Sequence, residues 1–302
     1  MSDDANKDLR AAIAAAKDAE QAALGNTPLG VPGVTAATSI EKAATQQLGF
    51  DLEICPVPLP SRGLIYSTPG LANAEYLDIR AMTTREEDIL TNVSMMKKGT
   101  ALPAVIKNCL MDKRVDVDTL ISGDRYALMI AVRITGYGSD YSPELLCRGC
   151  DTKQLFPINL QGFNIRELDL TKVQQEAPGR NAFVFVLPVT KKVVTWKFLT
   201  GKEEQSMAVE EQRRKAAGLP FESAITNKLK NSIISVDGNT DPRFIDKFCQ
   251  FMPARDSLAL RSLMDSSEPS IDMSAQVTCP SCGHQEVIGV PLDASFFWPR
   301  SI

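Results

Sequence analysis

Leu145-Leu146-Cys147-Arg148-Gly149-Cys150 and Val277-Thr278-Cys279-Pro280-Ser281-Cys282-Gly283-His284 are the stretches whose reading decides the fold. Each sets a Cys-x-x-Cys pair on a tight glycine-containing turn, the geometry in which a backbone presents two sulfurs to one tetrahedral Zn2+ at roughly 2.3 Å. Together they supply four ligands, Cys147, Cys150, Cys279 and Cys282, and close the site. Short apolar runs flank both turns: Leu145 and Leu146 before the first and residues 155–160 after it, Val277 before the second and residues 287–292 after it. Strand, knuckle, strand, twice over, is the pattern of a zinc ribbon.

A compact ribbon separates its halves by about 15–20 residues, and the segment between Cys150 and Cys279 is far longer. The insertion must then be a folded unit that leaves the ribbon and returns to it. Loop-closure cost grows slowly with length, so the separation is tolerable if the insert brings its own ends together. The alternatives are two unrelated Cys-x-x-Cys turns or a disulfide within one of them. His284 is the only histidine of the chain; with four thiols present it is expected beside the ligand set or at the surface. A closed set of four thiolates keeps no open position, which points to one structural Zn2+.

Bulk composition agrees with a folded domain. The chain has 302 residues, 44% hydrophobic and 23% charged, with 33 Lys and Arg against 37 Asp and Glu. The formal charge of -4 gives no bulk attraction to nucleic acid or an anionic membrane. There is no run of about 18 apolar residues to span a bilayer, and the acidic start Met1-Ser2-Asp3-Asp4 is unlike a signal peptide. Synthesis in the cytosol is expected. Cys55, Cys109 and Cys249 are read as small buried apolar residues.

Residues 1–50 form an Ala-rich arm. A helical stretch over 8–24 carries Leu9, Ile13, Ala16 and Ala23 on one side, too little apolar area to fold alone. A Gly- and Pro-containing linker over 25–38 and a short helix over 39–48 follow. The arm is either a mobile tail or a segment that orders on a partner. Residues 51–146 read as a mainly helical domain. It has an extended, turn-containing entry over 56–66, a strand over 75–82, and helices over 85–97, 102–113, 117–121 and 124–137. Thr83 with Glu86 forms a capping box.

Residues 147–160 and 271–302 make the split ribbon, and 161–270 an inserted α+β domain. Its centre is a hairpin, 182–188 with 192–199, in which Val194, Trp196 and Phe198 share a buried face while Thr195 and Lys197 take a wet one. Thr200 and Glu203 open a charged helix to about Ala217. The stretch 225–236, with Leu229, Ile233 and Ile234, precedes a turn at 237–239, and helices over 241–251 and 254–264 follow. The fold class is thus α+β. Near the end Phe296, Phe297 and Trp298 are costly to leave in water; they either pack back or insert into a neighbouring protein.

The residues of common catalysis are missing. A lone histidine removes the usual general base and any His-based triad, and neither a GxGxxG after a strand nor a GxxxxGK[ST] cradle is present. A ribbon that grips nucleic acid needs clustered cations near its knuckles. Here only Arg148 and Lys153 flank the first, and none lies between Thr278 and Ser295.

Several landmarks fall in order: Leu59-Pro60-Ser61-Arg62-Gly63 with Tyr66, Ile79-Arg80-Ala81-Met82-Thr83-Thr84-Arg85-Glu86-Glu87, Met252-Pro253-Ala254-Arg255-Asp256 with Leu260, Pro269-Ser270-Ile271-Asp272, Cys279-Pro280-Ser281-Cys282-Gly283, and Phe296-Phe297-Trp298-Pro299. In this order they resemble the baseplate hub and hub-assembly proteins of T4-type contractile-tailed bacteriophages, over residues 58–299. The arm is not covered, and the segment around the hairpin has no counterpart. The resemblance implies a non-enzymatic structural or assembly component of the baseplate hub, made in the host cytoplasm and located in the virion tail. Its partners would be other tail proteins, with no nucleic acid, membrane or small-molecule substrate. An assembly chaperone absent from the mature virion is the alternative. A zinc-ribbon nucleic-acid-binding regulator and an enzyme with an open metal site are the rivals of other classes. Deleting residues 1–50 is expected to leave the thermal unfolding midpoint unchanged while weakening partner binding; a lowered midpoint in calorimetry would show that the arm belongs to the core.

Overall fold

The structure, a computed structural model, describes residues 49–218, 224–290 and 294–297. The expected arm helices and Trp298 lie outside them. The first unit opens with β1 (Ile54–Pro58) and β2 (Tyr76–Arg80), an antiparallel pair in register from Ile54↔Arg80 to Pro58↔Tyr76. Proline is admissible in β1 because a two-stranded pair is all edge. Gly63 takes φ +68° in the connecting loop, and a Cβ there would lie 2.2 Å from the Ala74 amide nitrogen, so only glycine fits.

Helices α1 (Thr84–Thr91), α2 (Val93–Lys97), α3 (Ala101–Cys109) and α4 (Ser122–Tyr137) follow. The capping box of Thr83 and Glu86 is present. The single helix expected over 85–97 is instead two. Asn92 sits extended and its side chain accepts from the amides of Ser94 and Met95, both at 3.1 Å, restarting the helix as a new N-cap. The third helix also stops early: Leu110 turns extended and bridges Ile79, while the Met111 amide reaches Asp78 O at 2.9 Å. Only a 3-10 turn, Val117–Thr119, occupies the expected 117–121 helix.

Two buried polar knots hold this unit. Asp124, fully buried in the first turn of α4, accepts from the Ser61 amide (2.9 Å), the Ser61 hydroxyl (2.6 Å) and the Tyr66 hydroxyl (2.6 Å). Tyr66 in turn accepts from the Ile121 amide at 3.0 Å. Burial pushes the Asp124 carboxyl above the usual carboxylate range against the pull of these donors. In the second knot the Arg80 guanidinium grips the fully buried Glu86 carboxylate through two bonds of 3.1 Å. Burial opposes ionisation of Glu86, yet Arg80 and Thr83 outweigh it and its pKa is lowered.

The chain then runs through β3 (Asp140–Tyr141), β4 (Glu144–Leu146), β5 (Lys153–Leu155), β6 (Ile158–Asn159) and β7 (Asn164–Arg166). The insert contains β8 (Gln174–Gln175), β9 (Phe183–Val186), β10 (Val193–Trp196), α5 (Gly201–Ala216), α6 (Ala224–Ser232), β11 (Ile233–Val236), α7 (Pro242–Phe251) and α8 (Ala254–Ser267). Its strands form one antiparallel sheet ordered β11-β10-β9-β8 around the packed rings of Phe183, Trp196 and Phe198, whose centroids lie 4.9–5.1 Å apart. The expected wet face of the hairpin is not wet at Thr195. That residue pairs with Ser235 of β11, both are 8% exposed, and α6 and α7 pack beside β11. Asp256, buried in the first turn of α8, accepts from the Val189 amide (2.7 Å) and the Thr190 amide (3.0 Å) and so fixes the hairpin turn.

The insert closes on itself. Strand β12 (Ser270–Asp272) pairs antiparallel with β7, Ser270↔Arg166 to Asp272↔Asn164. It lies against α4, where a Cβ on Gly123 would come 2.1 Å from Pro269 O. Strands β13 (Ser274–Thr278) and β14 (Gln285–Gly289) and the 3-10 turn Ala294–Phe297 are the last elements among the described residues.

Of the two fates open to the terminal aromatics, Phe296 and Phe297 take the first and pack back. Phe296 and Phe297 are 0% and 1% exposed, with Phe296 edge-on to Tyr141 at 5.2 Å. The buried Arg133 of α4 donates to Phe296 O at 2.9 Å and to the carbonyls of Gly138 and Asp140. These two rings pack into the first unit's own core.

Tyr66→Phe is expected to cost about 1–3 kcal/mol in denaturant unfolding, because it strands the buried Ile121 amide and removes a donor from Asp124. Glu86 has a depressed folded pKa, so its contribution is present above the unfolded value near 4.3 and is lost as pH falls through the folded one. The wild type should therefore lose stability more steeply than Glu86→Gln on acidification from pH 5, read from unfolding midpoints across pH.

Candidate metal centre

The two Cys-x-x-Cys turns sit at the tips of two hairpins, β4/β5 with Leu146↔Lys153 nearest the first tip and β13/β14 with Thr278↔Gln285 nearest the second. The tips have the same construction. The Cys147 amide donates to Thr152 O at 3.0 Å and Asp151 to Cys147 O at 2.9 Å; the Cys279 amide donates to His284 O at 2.8 Å and Gly283 to Cys279 O at 2.9 Å. The residue after the second cysteine takes a left-handed backbone in both, Asp151 at φ 51° and Gly283 at φ 71°. Asp tolerates that region better than most side chains.

The structure brings all four expected sulfurs together: the Sγ atoms of Cys147, Cys150, Cys279 and Cys282 lie within 4.8 Å of one another. Two contacts cross between the hairpins, Cys147–Cys282 at 3.7 Å and Cys150–Cys279 at 3.9 Å. A tetrahedron with bonds of 2.3 Å has edges of about 3.8 Å, so these spacings fit one ion at the centre. A disulfide needs about 2.05 Å, and all seven cysteines are free thiols. Cys147 and Cys279 are buried, Cys150 is half-buried and Cys282 exposed, which leaves the site at the surface with one open side. The Thr152 hydroxyl, 2.9 Å from Cys150 Sγ, and the Thr152 amide hold that thiol down at about 7. Four thiolates so close cannot all ionise without a cation among them.

His284 is exposed and outside the sulfur cluster. Its contribution is steric. A Cβ on Gly149 would lie 2.7 Å from His284 Cβ, so the first knuckle needs glycine for the close approach of the second rather than for its own turn. Composition does not reveal this, nor the contact of Arg148 with Glu286, whose ionic groups are 3.5 Å apart across the hairpins. A concavity of about 610 Å3 between α5, α6 and α8 holds Glu268, whose pKa burial raises, and Lys228, already paired with Asp265.

A family model described as T4 bacteriophage base plate protein matches residues 71–298, more than half of the chain and all four cysteines. No curated protein and no solved structure gives a significant match.

Gly149→Ala is expected to part the knuckles and weaken Co2+ binding at least tenfold, read from the visible absorption of tetrahedral thiolate-bound cobalt. Removing the opposing Cβ in Gly149→Ala/His284→Gly should restore it; equal binding by wild type and Gly149→Ala would rule out the steric role.

Proposed function

This chain belongs to the T4 bacteriophage base plate protein family, and from that membership we propose that it is a non-enzymatic structural component of the hub of a contractile-tail baseplate, fastened by one Zn2+ on Cys147, Cys150, Cys279 and Cys282. The carrying observation is the convergence of four sulfurs from hairpins so distant in sequence. Zinc suits an all-sulfur tetrahedral set with no geometric demand of its own, and four protein ligands leave no position for substrate or activated water. The metal then acts as a clamp. It joins the hairpin that follows the helical unit to the hairpin that follows the insert, so 51–146 as helical unit, 147–160 with 271–302 as split zinc ribbon, and 161–270 as insert form one rigid piece.

Two further features support a building part. Asp124, Glu86 and Asp256 are each fully buried and spent on holding loops and strands together. Among the described residues no cationic cluster surrounds the knuckles, since Arg148 is drawn to Glu286, which speaks against nucleic-acid binding.

Mass spectrometry of purified virions should find the chain at a fixed copy number per tail. Its absence from virions whose assembly nevertheless requires it would replace the hub subunit by an assembly chaperone. Purified protein should carry one Zn2+ per chain and release it on acidification, as thiolates take up protons. Cys147→Ser and Cys279→Ser should each lose the metal and solubility together, and stoichiometric zinc in both variants would refute the shared site. Salt-sensitive retention on DNA or RNA would favour the regulator.

A further inference from the structure

The concavity of about 610 Å3 between α5, α6 and α8 has the size of a small-molecule site. Its lining is largely apolar. Phe198 and Leu199, just before α5, border it together with Met264 of α8, and Met207 and Ala208 of α5 supply a further wall. Phe198 and Met264 are buried, so this lining is fixed by the core behind it. Of α5 only Gly201 is buried, and the helix does not close the space it borders.

Most of the charge around this space is already engaged. Lys197 is held by Glu203, Lys228 by Asp265 at 2.9 Å and Lys215 by Glu211 at 3.0 Å, while Glu204 takes Arg125 at 3.0 Å. Glu268 is different. Among the described residues its carboxyl has no hydrogen bond or ion pair, and burial raises its pKa, with Asp265 and Glu204 adding to the rise and Lys228 and Arg166 failing to offset it. Ser232, at the end of α6 and 0% exposed, also borders the space, and its hydroxyl oxygen meets no partner among the described residues. Polar groups left in that state are costly, and a ligand that supplies donors removes the cost. An ammonium group has three donors and a charge opposite to the carboxylate; among apolar side chains that pairing is stronger than in water. An anion would meet Glu268 as a like charge, and a purely apolar molecule would leave both groups unmet.

We propose that this concavity binds a small organic cation, an apolar body carrying a primary ammonium, with the body among Phe198, Met207 and Met264 and the ammonium donating to the Glu268 carboxylate and the Ser232 hydroxyl. Its arrival sends the proton of Glu268 to solvent, and the bound molecule ties α5 to α6 and α8. The site shares no residue with the sulfur cluster.

Methyl NMR of the full-length protein labelled with 13C-methyl methionine tests this independently of any role in a virion, the Met207 and Met264 signals being assigned from Met207→Leu and Met264→Leu. Three probes share one apolar body: tryptamine is a cation, tryptophol is neutral and indole-3-acetate is an anion. Tryptamine should move both signals saturably, and the other two should bind at least tenfold more weakly. Glu268→Gln should weaken tryptamine at least tenfold while leaving tryptophol affinity and the thermal midpoint unchanged; should that variant fail to fold, the order of the three probes on the wild type decides alone. Absence of saturable shifts with tryptamine, equal affinity for the three probes, or undiminished tryptamine binding in folded Glu268→Gln overturns the proposal. So does binding that appears only in Phe221→Ala, which would assign the space to the chain's own connection between α5 and α6.

Discussion

The short ladder between β7 and β12 is the constraint on which the rest of the molecule depends. Cys147 and Cys282 stand 135 positions apart in the chain, and four thiols drawn from so far have to meet within a few ångströms. Each doubling of a flexible loop costs only about 0.6 kcal/mol, but orientation must also be fixed, and a flexible loop fixes none. By pairing Arg166 with Ser270 the ladder joins the two ends of the insert. What remains between the ladder and each knuckle is then short: residues 151–163 on one side, and on the other 273–278, nearly all in β13. The same β12 leans on α4 at Gly123, so the helical unit, the insert and the sulfur cluster share one junction.

Around that junction, buried charge is used to place loops. Asp124 gathers Ser61 and Tyr66 to the start of α4, Arg80 and Glu86 tie β2 to the start of α1, and Asp256 seats the β9–β10 turn on α8. Burying a carboxylate is expensive unless its oxygens are fully engaged. Each of these is engaged by donors from another segment, so the cost is offset only in the correct arrangement. Arg80 and Asp256, though not Ser61, fall within the span 71–298 that the family model matches.

Periodicity and spacing made part of this legible. The two knuckles, the Thr83–Glu86 box and the Phe183–Trp196 hairpin follow from local rules, and the structure has all of them. What was hidden is non-local. The run from Ala224 to Val236 changes from helix to strand at Ile233 because β10 offers an open edge there, which no window of local sequence contains. Asn92 looks helical in a charged stretch until its amide oxygen is seen capping a new turn. The function of Tyr66 depends on Asp124, 58 positions on. For Phe296 and Phe297 the sequence allowed two fates, and a buried guanidinium on α4 decided between them.

That guanidinium has a temporal consequence. Arg133 donates to the carbonyl of Phe296, 163 positions further along. During synthesis the first helical unit leaves the ribosome long before the rings and the carbonyl that complete its interior exist. Until they arrive, the nascent unit holds a cation with part of its hydrogen bonding unmet next to an unfilled apolar space, so its folding must stay provisional until Phe296 and Phe297 have been made.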